Sequence, residues 1–256
     1  MCLTSCDDVL PVYVISVKTF DSRHRHIEHI AQKFNLKFEY VWEFDAQDLT
    51  PLDRARVSDQ LKDAGASNVL KHIEAQRKFL STDASRALIL EDDVILFNNF
   101  PKSLVSVLEQ LREREAGWLT FLGGGDNKID ERFLGSDDLR LIESPITTAE
   151  AYLVDRVGCE RRLAWLADNL IDRQADHLLN LVDQTVGNVQ YRVSIPMATQ
   201  GSITGLFETH LDSSRAKHGP LYLLLRYHYN RWRRQTFPRL YKKLLAICRL
   251  NSKGYS

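Results

Sequence analysis

Glu91, Asp92 and Asp93 stand side by side in RALILEDDVILF, residues 86 to 97, directly after an apolar run that reads as core. Two carboxylates about 5 Å apart at an effective dielectric near 20 repel by about 3 kcal/mol, so a site that keeps both ionised calls for a cation. Hard carboxylate oxygens select Mg²⁺ or Mn²⁺ over zinc, and such ions use one or two carboxylates while substrate phosphates supply further ligands. Strand alternation would point Glu91 and Asp93 one way and Asp92 the other. The competing reading is that the three acids cap a neighbouring helix or face water at a strand end.

The elements that must position these acids read as an alternation of strands and helices. PVYVISV, residues 11 to 17, is β-branched and too continuously apolar for a half-exposed strand, which predicts a buried parallel one. Behind it, Ile27, Ile30, Ala31 and Phe34 fall at helical spacing. FEYVWEF, residues 38 to 44, predicts a second strand with Asp45 at its end, and residues 51 to 80 predict helices in which Val69, Ile73, Gln76 and Leu80 share a face opposite a polar one. RALILEDDVIL is the next strand, SLVSVLEQLRERE an amphipathic helix, and GWLTFLGGG a strand ending in a glycine turn. A short strand over 151 to 154, a helix carrying Leu163, Leu166 and Leu170, and a late strand in VQYRVSIP complete the pattern. This alternation predicts a single α/β layered domain around a largely parallel sheet, whose ligands bind beyond the strands' carboxyl ends.

Composition narrows the class. The 256-residue chain is 44% hydrophobic with no net charge, as expected of a globular protein. No apolar run reaches the roughly 18 residues of a membrane span, and MCLTSCDDVL has no signal-peptide character, which predicts a cytoplasmic location. Cys2, Cys6, Cys159 and Cys248 are scattered and suggest neither a disulfide framework nor a zinc site. From Ser213 to Ser256 there are eleven Lys or Arg and no Asp or Glu, with Leu, Tyr and Trp232 interleaved. That mixture suits a segment lying on an anionic membrane surface, and equally a helix packed on the preceding domain. Nucleic acid is not expected as a partner, because no base-stacking fold accompanies the basic tail. A phosphohydrolase would need a nucleophilic acid on the first strand, and PVYVISV has none.

The strand LILEDDV resembles the metal-binding acids of glycosyltransferase family 25. The resemblance extends in order through VYVISVKTFDSRHRHI, WEFDAQDL and NVLKHIEAQRKF before the acids, and WLTFLGG, TTAEAYLVDRVGCERRL, QADHLLN and IPMATQGS after them, covering residues 11 to 202. Ser16 and Val17 stand where the family usually has Asn and Leu, and Ala46 replaces a glycine after Asp45.

This resemblance implies an α/β fold of the GT-A nucleotide-sugar transferase type, with a mainly parallel central sheet flanked by helices in residues 1 to 212 and a basic helical tail over 213 to 256. It further implies an inverting transfer of a hexose, galactose being the family's common choice, from a UDP-sugar to a lipopolysaccharide or lipooligosaccharide acceptor. The acceptor would be lipid-linked and the enzyme peripheral on the inner face of a bacterial inner membrane. The alternative is a catalytically inactive nucleotide-sugar-binding or assembly subunit.

On this reading Mn²⁺ or Mg²⁺ is held by Asp93, with Glu91 supporting the ion or touching the ribose, Asp92 orienting its neighbours, and His210 or Asp212 as late candidate ligands. Arg23 answers the donor phosphates or is a solvated residue at the helix start, Val14 and Ile15 floor the base, and Asp45 bonds the nucleotide or shapes a turn. Gln200 and Ser202 close over the donor or serve as turn residues. Asp176 in QADH is the candidate general base, with a helix N-cap as its rival role. His24, His26 and His29 read as a solvated face, and Gly123, Gly124 and Gly125 as either a phosphate-approaching loop or a flexible turn.

Overall fold

The structure, a computed structural model, describes residues 10–128, 138–208 and 217–253. Strand β1 (Val12–Ile15) is buried along its whole length and pairs in parallel with β2 (Glu39–Val41) and β3 (Arg86–Glu91), as its continuous apolar character predicts. The sheet continues through β5 (Trp118–Phe121), β6 (Leu141–Glu143), β7 (Ala151–Asp155) and β8 (Val189–Val193) in the order β2-β1-β3-β7-β5-β8-β6. β7 runs antiparallel to both its neighbours and β6 antiparallel to β8, so five of the seven strands share one direction. The expected α/β architecture with a mainly parallel sheet is borne out.

RALILEDDVILF is not one strand. β3 ends at Glu91, the chain turns at Asp92 and Asp93, and β4 (Val94–Leu96) leaves to pair with β9 (Ala198–Gln200) in a separate antiparallel ribbon. Three consecutive acids cannot continue between two packed layers without burying unpaired charge, so the sheet strand stops where they begin. This break also removes the regular alternation expected across Glu91 to Asp93.

Helices cover both faces. Ile27, Ile30 and Phe34 of α1 (Asp21–Phe34) and Phe100, Leu104 and Val107 of α4 (Phe100–Arg112) pack against Val12, Val14, Leu88 and Leu90. On the opposite face α3 (Asp63–Leu80), α5 (Arg156–Asp168) and α6 (Ala175–Val186) pack against Tyr13, Ile15, Ala87 and Ile89. The period-two split of β1 between the layers is what a doubly covered strand requires. Short α2 (Pro51–Ala55) begins with a capping box between Thr50 and Asp53, and seven residues separate it from α3.

The polar face expected opposite Val69 and Ile73 on α3 is only partly solvated: Arg77 is exposed, but Lys71 and His72 are each about 1% exposed, because α3 lies between the sheet and the α5–α6 pair. Arg162 of α5 is wholly buried and held by Asp183 of α6, with Nε–Oδ1 at 2.5 Å and Nη2–Oδ2 at 3.1 Å. α7 (Gly201–Thr204) follows β9, and the basic tail forms α8 (Pro220–Arg231), a π-helical turn over Trp232–Thr236, and α9 (Phe237–Lys253). The expected helical tail is therefore present, while the boundary placed at residue 212 lies outside the described residues. Among them no helix is long and apolar enough to cross a membrane.

Candidate functional site

A cavity of about 600 Å³ opens at the carboxyl ends of β1 and β3, where Ile15 and Glu91 are register partners. Its walls come from the β1–α1 loop, α3, the β3–β4 turn, the start of α6 and the β9–α7 junction. Eight of the residues expected from the sequence line it: Ile15, Arg23, Glu91, Asp92, Asp93, Asp176, Gln200 and Ser202.

The three acids have separate commitments. Asp92 accepts from Ser16 Oγ and Arg23 Nη1, both at 2.6 Å, and its amide donates to Ile15 O. Arg23 also donates to the Glu208 carbonyl at 2.6 Å and sits against the rings of Phe20 and Phe207. Glu91 accepts from Asn68 at 3.2 Å and Gln200 at 3.0 Å, with His72 Nε2 at 3.3 Å. Burial pushes Glu91 upward, but the His72 contact, followed by Gln200 and Asn68, holds it below the usual carboxylate range. His72 is oriented in turn by Tyr152 Oη, 2.8 Å from Nδ1.

Asp93 differs. Its Oδ2 accepts the Ser202 amide at 3.1 Å, while Oδ1 is buried with no hydrogen-bond partner among the described residues. Burial, reinforced by the Glu91 charge, pushes its carboxyl up to about 6.

The remaining expected residues divide between cavity and support. Asp176 lies in the first turn of α6, where negative charge complements the helix dipole, and its Oδ1 accepts the His177 amide at 2.9 Å. The N-cap position belongs to Gln174, so the rival N-cap role for Asp176 does not apply. Val14 packs in the layer on the other side of the sheet, away from the cavity. Asp45 is fully buried behind the cavity wall, 2.7 Å from Lys71 Nζ, and accepts the Lys18 amide at 3.1 Å. Lys71 itself lines the cavity, its ammonium pushed down by burial and partly restored by Asp45. His210 and Asp212 lie outside the described residues.

His24 and His26 are not solvated as expected. His24 Nε2 lies 2.9 Å from Val17 O and 3.1 Å from Ser16 Oγ, and His26 Nε2 lies 2.7 Å from Val94 O. Both therefore brace α1 against the strand ends that form the site; His29 is exposed. The glycine loop does not reach the cavity either. Gly124 has φ +81° and its amide donates to Glu150 Oε1 at 2.9 Å, while a Cβ on Gly123 would fall 2.1 Å from that oxygen. Burial pushes Glu150 up to about 7.

Ser16, Asn68, Lys71, His72 and Glu150 were absent from the sequence-based site. Asn68, Lys71 and His72 carried a signal, being polar residues inside an otherwise helical apolar pattern, but only the packing of α3 shows that they face inward.

Among the described residues no group of three or more His, Cys, Asp or Glu side chains is placed to hold a metal unaided. The donor set nevertheless fits a hard divalent ion that draws its other ligands from phosphate and water, because Asp93 Oδ1 is an oxygen ligand without a partner among the described residues and Glu91 lies close enough to raise it. Asp92 is excluded from that set by Arg23 and Ser16.

Residues 9–128 match the family model described as glycosyltransferase family 25 (LPS biosynthesis protein), which bears out the resemblance over that part of the chain. No curated protein matches the chain. Among solved structures, the inositol-1-phosphate CTP transferase from T. maritima is similar at 10% identity, over 86% of this chain and 77% of that one, with a TM-score of 0.37. The CMP:2-keto-3-deoxy-manno-octonic acid synthetase complexed with CTP is similar at 11% identity, over 72% of this chain and 89% of that one, with a TM-score of 0.38.

Proposed function

We propose, from the match of residues 9–128 to the family 25 glycosyltransferase model, that the protein transfers a hexose, galactose, from a UDP-sugar to a lipid-linked lipopolysaccharide or lipooligosaccharide acceptor. The observation that carries this reading is the convergence of Asp93, with its unpartnered buried oxygen, and Asp176 on one cavity of about 600 Å³. That volume falls within the range of pockets that enclose small ligands. Asp176, Gln200 and Ser202 lie beyond the matched segment, yet the fold delivers them to the acids within it.

Asp93 and Glu91 would hold Mn²⁺ or Mg²⁺, which when bound supplies positive charge against the diphosphate leaving group. Arg23, anchored by Asp92, the Glu208 carbonyl and two aromatic rings, would offer its remaining guanidinium N–H groups to the same phosphates. Ser16 and His24 keep that anchor in place. Gln200 fixes the Glu91 carboxylate, and the Ser202 amide fixes one oxygen of Asp93, leaving the other without a partner among the described residues and available to the ion. Asp176, half-buried at the cavity edge, takes the proton from the acceptor hydroxyl as that oxygen attacks the anomeric carbon. Direct displacement from one face inverts that carbon. The outward face of the tail rests on anionic lipid at the inner leaflet, where a lipid-linked acceptor is found.

Calorimetric titration of UDP with and without Mn²⁺, followed by transfer assays with product linkage assigned by NMR, tests the proposal. Mn²⁺ should raise UDP affinity, and Asp93→Ala should abolish that gain along with transfer. If Mn²⁺ has no effect and the variant behaves as the parent, the mechanism is wrong. Tight UDP binding without turnover of any UDP-sugar would instead support the non-catalytic binding subunit.

A further inference from the structure

A second concavity lies where α8 crosses the β4–β9 ribbon. It offers about 620 Å³, is open to solvent on one side, and is walled by Ile95, Phe97, Leu206, Leu221, Leu224 and Tyr227, with His228 and Arg231 as its basic groups and no acid among the described residues of its lining. Apolar walls of this kind are poorly hydrated and favour a hydrocarbon occupant. Its basic edge lies in a tail segment of eleven Lys or Arg and no acid, which disfavours a cationic occupant and suits a single anionic headgroup. Along α8 and the π-helical turn that follows it, Leu225, Tyr229 and Trp232 are exposed as well.

The groove also shares a wall with the donor cavity. Thr199 and Thr204 face the groove, whereas Gln200 and Ser202, their neighbours along β9 and α7, face the cavity. We propose that this groove takes one acyl chain of an anionic membrane lipid, with Arg231 beside its phosphate. A lipid seated there would tie the tail to the bilayer at the junction that carries Gln200 and Ser202. The proposal deepens the membrane reading of the tail, so its test must separate an occupied groove from general adhesion of a basic helix.

Monomeric dodecanoyl lysophosphatidylglycerol, titrated into the full chain below its micelle concentration, makes that separation. Saturable one-to-one binding is expected, weakened about tenfold or more by Leu224→Asp or by Leu206→Asp, which set a carboxylate into the apolar wall. Leu206 is 54% exposed, so the second variant perturbs folding little. Arg231→Gln should remove the preference for lysophosphatidylglycerol over lysophosphatidylcholine. Arg226→Gln with Arg233→Gln, both exposed and outside the groove lining, should reduce adsorption to phosphatidylglycerol vesicles while monomer binding persists. UDP affinity, measured on each variant, should stay constant and so reports on the donor site independently. Absence of saturable binding, or equal binding by parent and both aspartate variants, would overturn the proposal.

Discussion

Asp93 differs from its neighbours because of what surrounds it, not because of its residue type. Asp92 is neutralised by Arg23, and Glu91 is held ionised by His72, Gln200 and Asn68, which leaves Asp93 as the acid with an uncommitted buried oxygen. The sequence made the cluster conspicuous but could not divide its labour, since the partners come from residues 16, 23, 68, 72, 200 and 202. With Asp93 held up to about 6, a cation must displace its proton in acid. Mn²⁺-assisted UDP affinity should therefore climb between about pH 5 and pH 7, and calorimetry across that range on Asp93→Asn should find the climb gone. For Asp176→Asn the expectation differs: if Asp176 is the general base proposed above, kcat falls by about 10²–10⁴ while UDP affinity is kept, because such a base acts on the acceptor and not on the nucleotide.

Glu150 allows a test that does not depend on the reaction. Its carboxyl is pushed up to about 7 by burial, so the folded state holds a proton that the unfolded chain releases near its ordinary value of 4.5. The native state then binds more protons between those values, and this group's contribution to stability declines as pH rises through that window. Glu150→Gln keeps an acceptor oxygen for the Gly124 amide and removes the titration. Urea unfolding should show the variant close to the parent at pH 4.5 and more stable by on the order of 2 kcal/mol at pH 8. An unchanged pH dependence would show that Glu150 does not hold this proton.

At the level of elements, legibility followed how many faces each segment buries. β1 and β3 are covered on both sides and read directly as continuous apolar runs, as did α1 and α4 with one apolar stripe each. α3 misled because periodicity identifies an apolar face but says nothing of whether the polar face is covered by another helix. The paired ribbon of β4 and β9 was hidden for a related reason, its short strands being joined across about a hundred residues of sequence. The buried Arg162–Asp183 pair, which joins α5 to α6 and receives Asn188 and Gln190 as further donors to Asp183, shows the energetic side of such packing. Arg162→Met should cost about 3–5 kcal/mol in urea unfolding by stranding the Asp183 charge, whereas Arg162→Met with Asp183→Leu should recover much of it. A double variant no better than the single one would place the loss in packing volume rather than in charge.

Across the whole molecule, the tail links the cavity-bearing α/β layers to the surface it is proposed to meet. Leu223, Tyr227, Arg231 and Gln235 succeed one another at four-residue steps along its inner face, and the π-helical turn over Trp232–Thr236 widens the helix where Gln235 donates to the carbonyls of Gly125 and Asn127, both at 2.9 Å. Asn230 and Arg234 add contacts to Asp126, so the loop that wraps Glu150 is held from outside by the tail. Docking uses this inner stripe together with Asn230 and Arg234, and leaves Leu225, Tyr229, Trp232, Phe237 and Tyr241 exposed beside Arg226, Arg233 and Lys242. A helix packed on the domain and a helix lying on lipid are therefore compatible readings of opposite faces, which the sequence had set against each other. If the outer face meets anionic lipid, each basic residue contributes about 1 kcal/mol near the surface. Changing Arg226, Arg233 and Lys242 together to Gln should then lower partition onto phosphatidylglycerol vesicles by about 10²-fold at low salt, with the difference shrinking as salt is added. Cosedimentation measures both quantities, and partition unaffected by charge removal would leave the inner face as the tail's whole role.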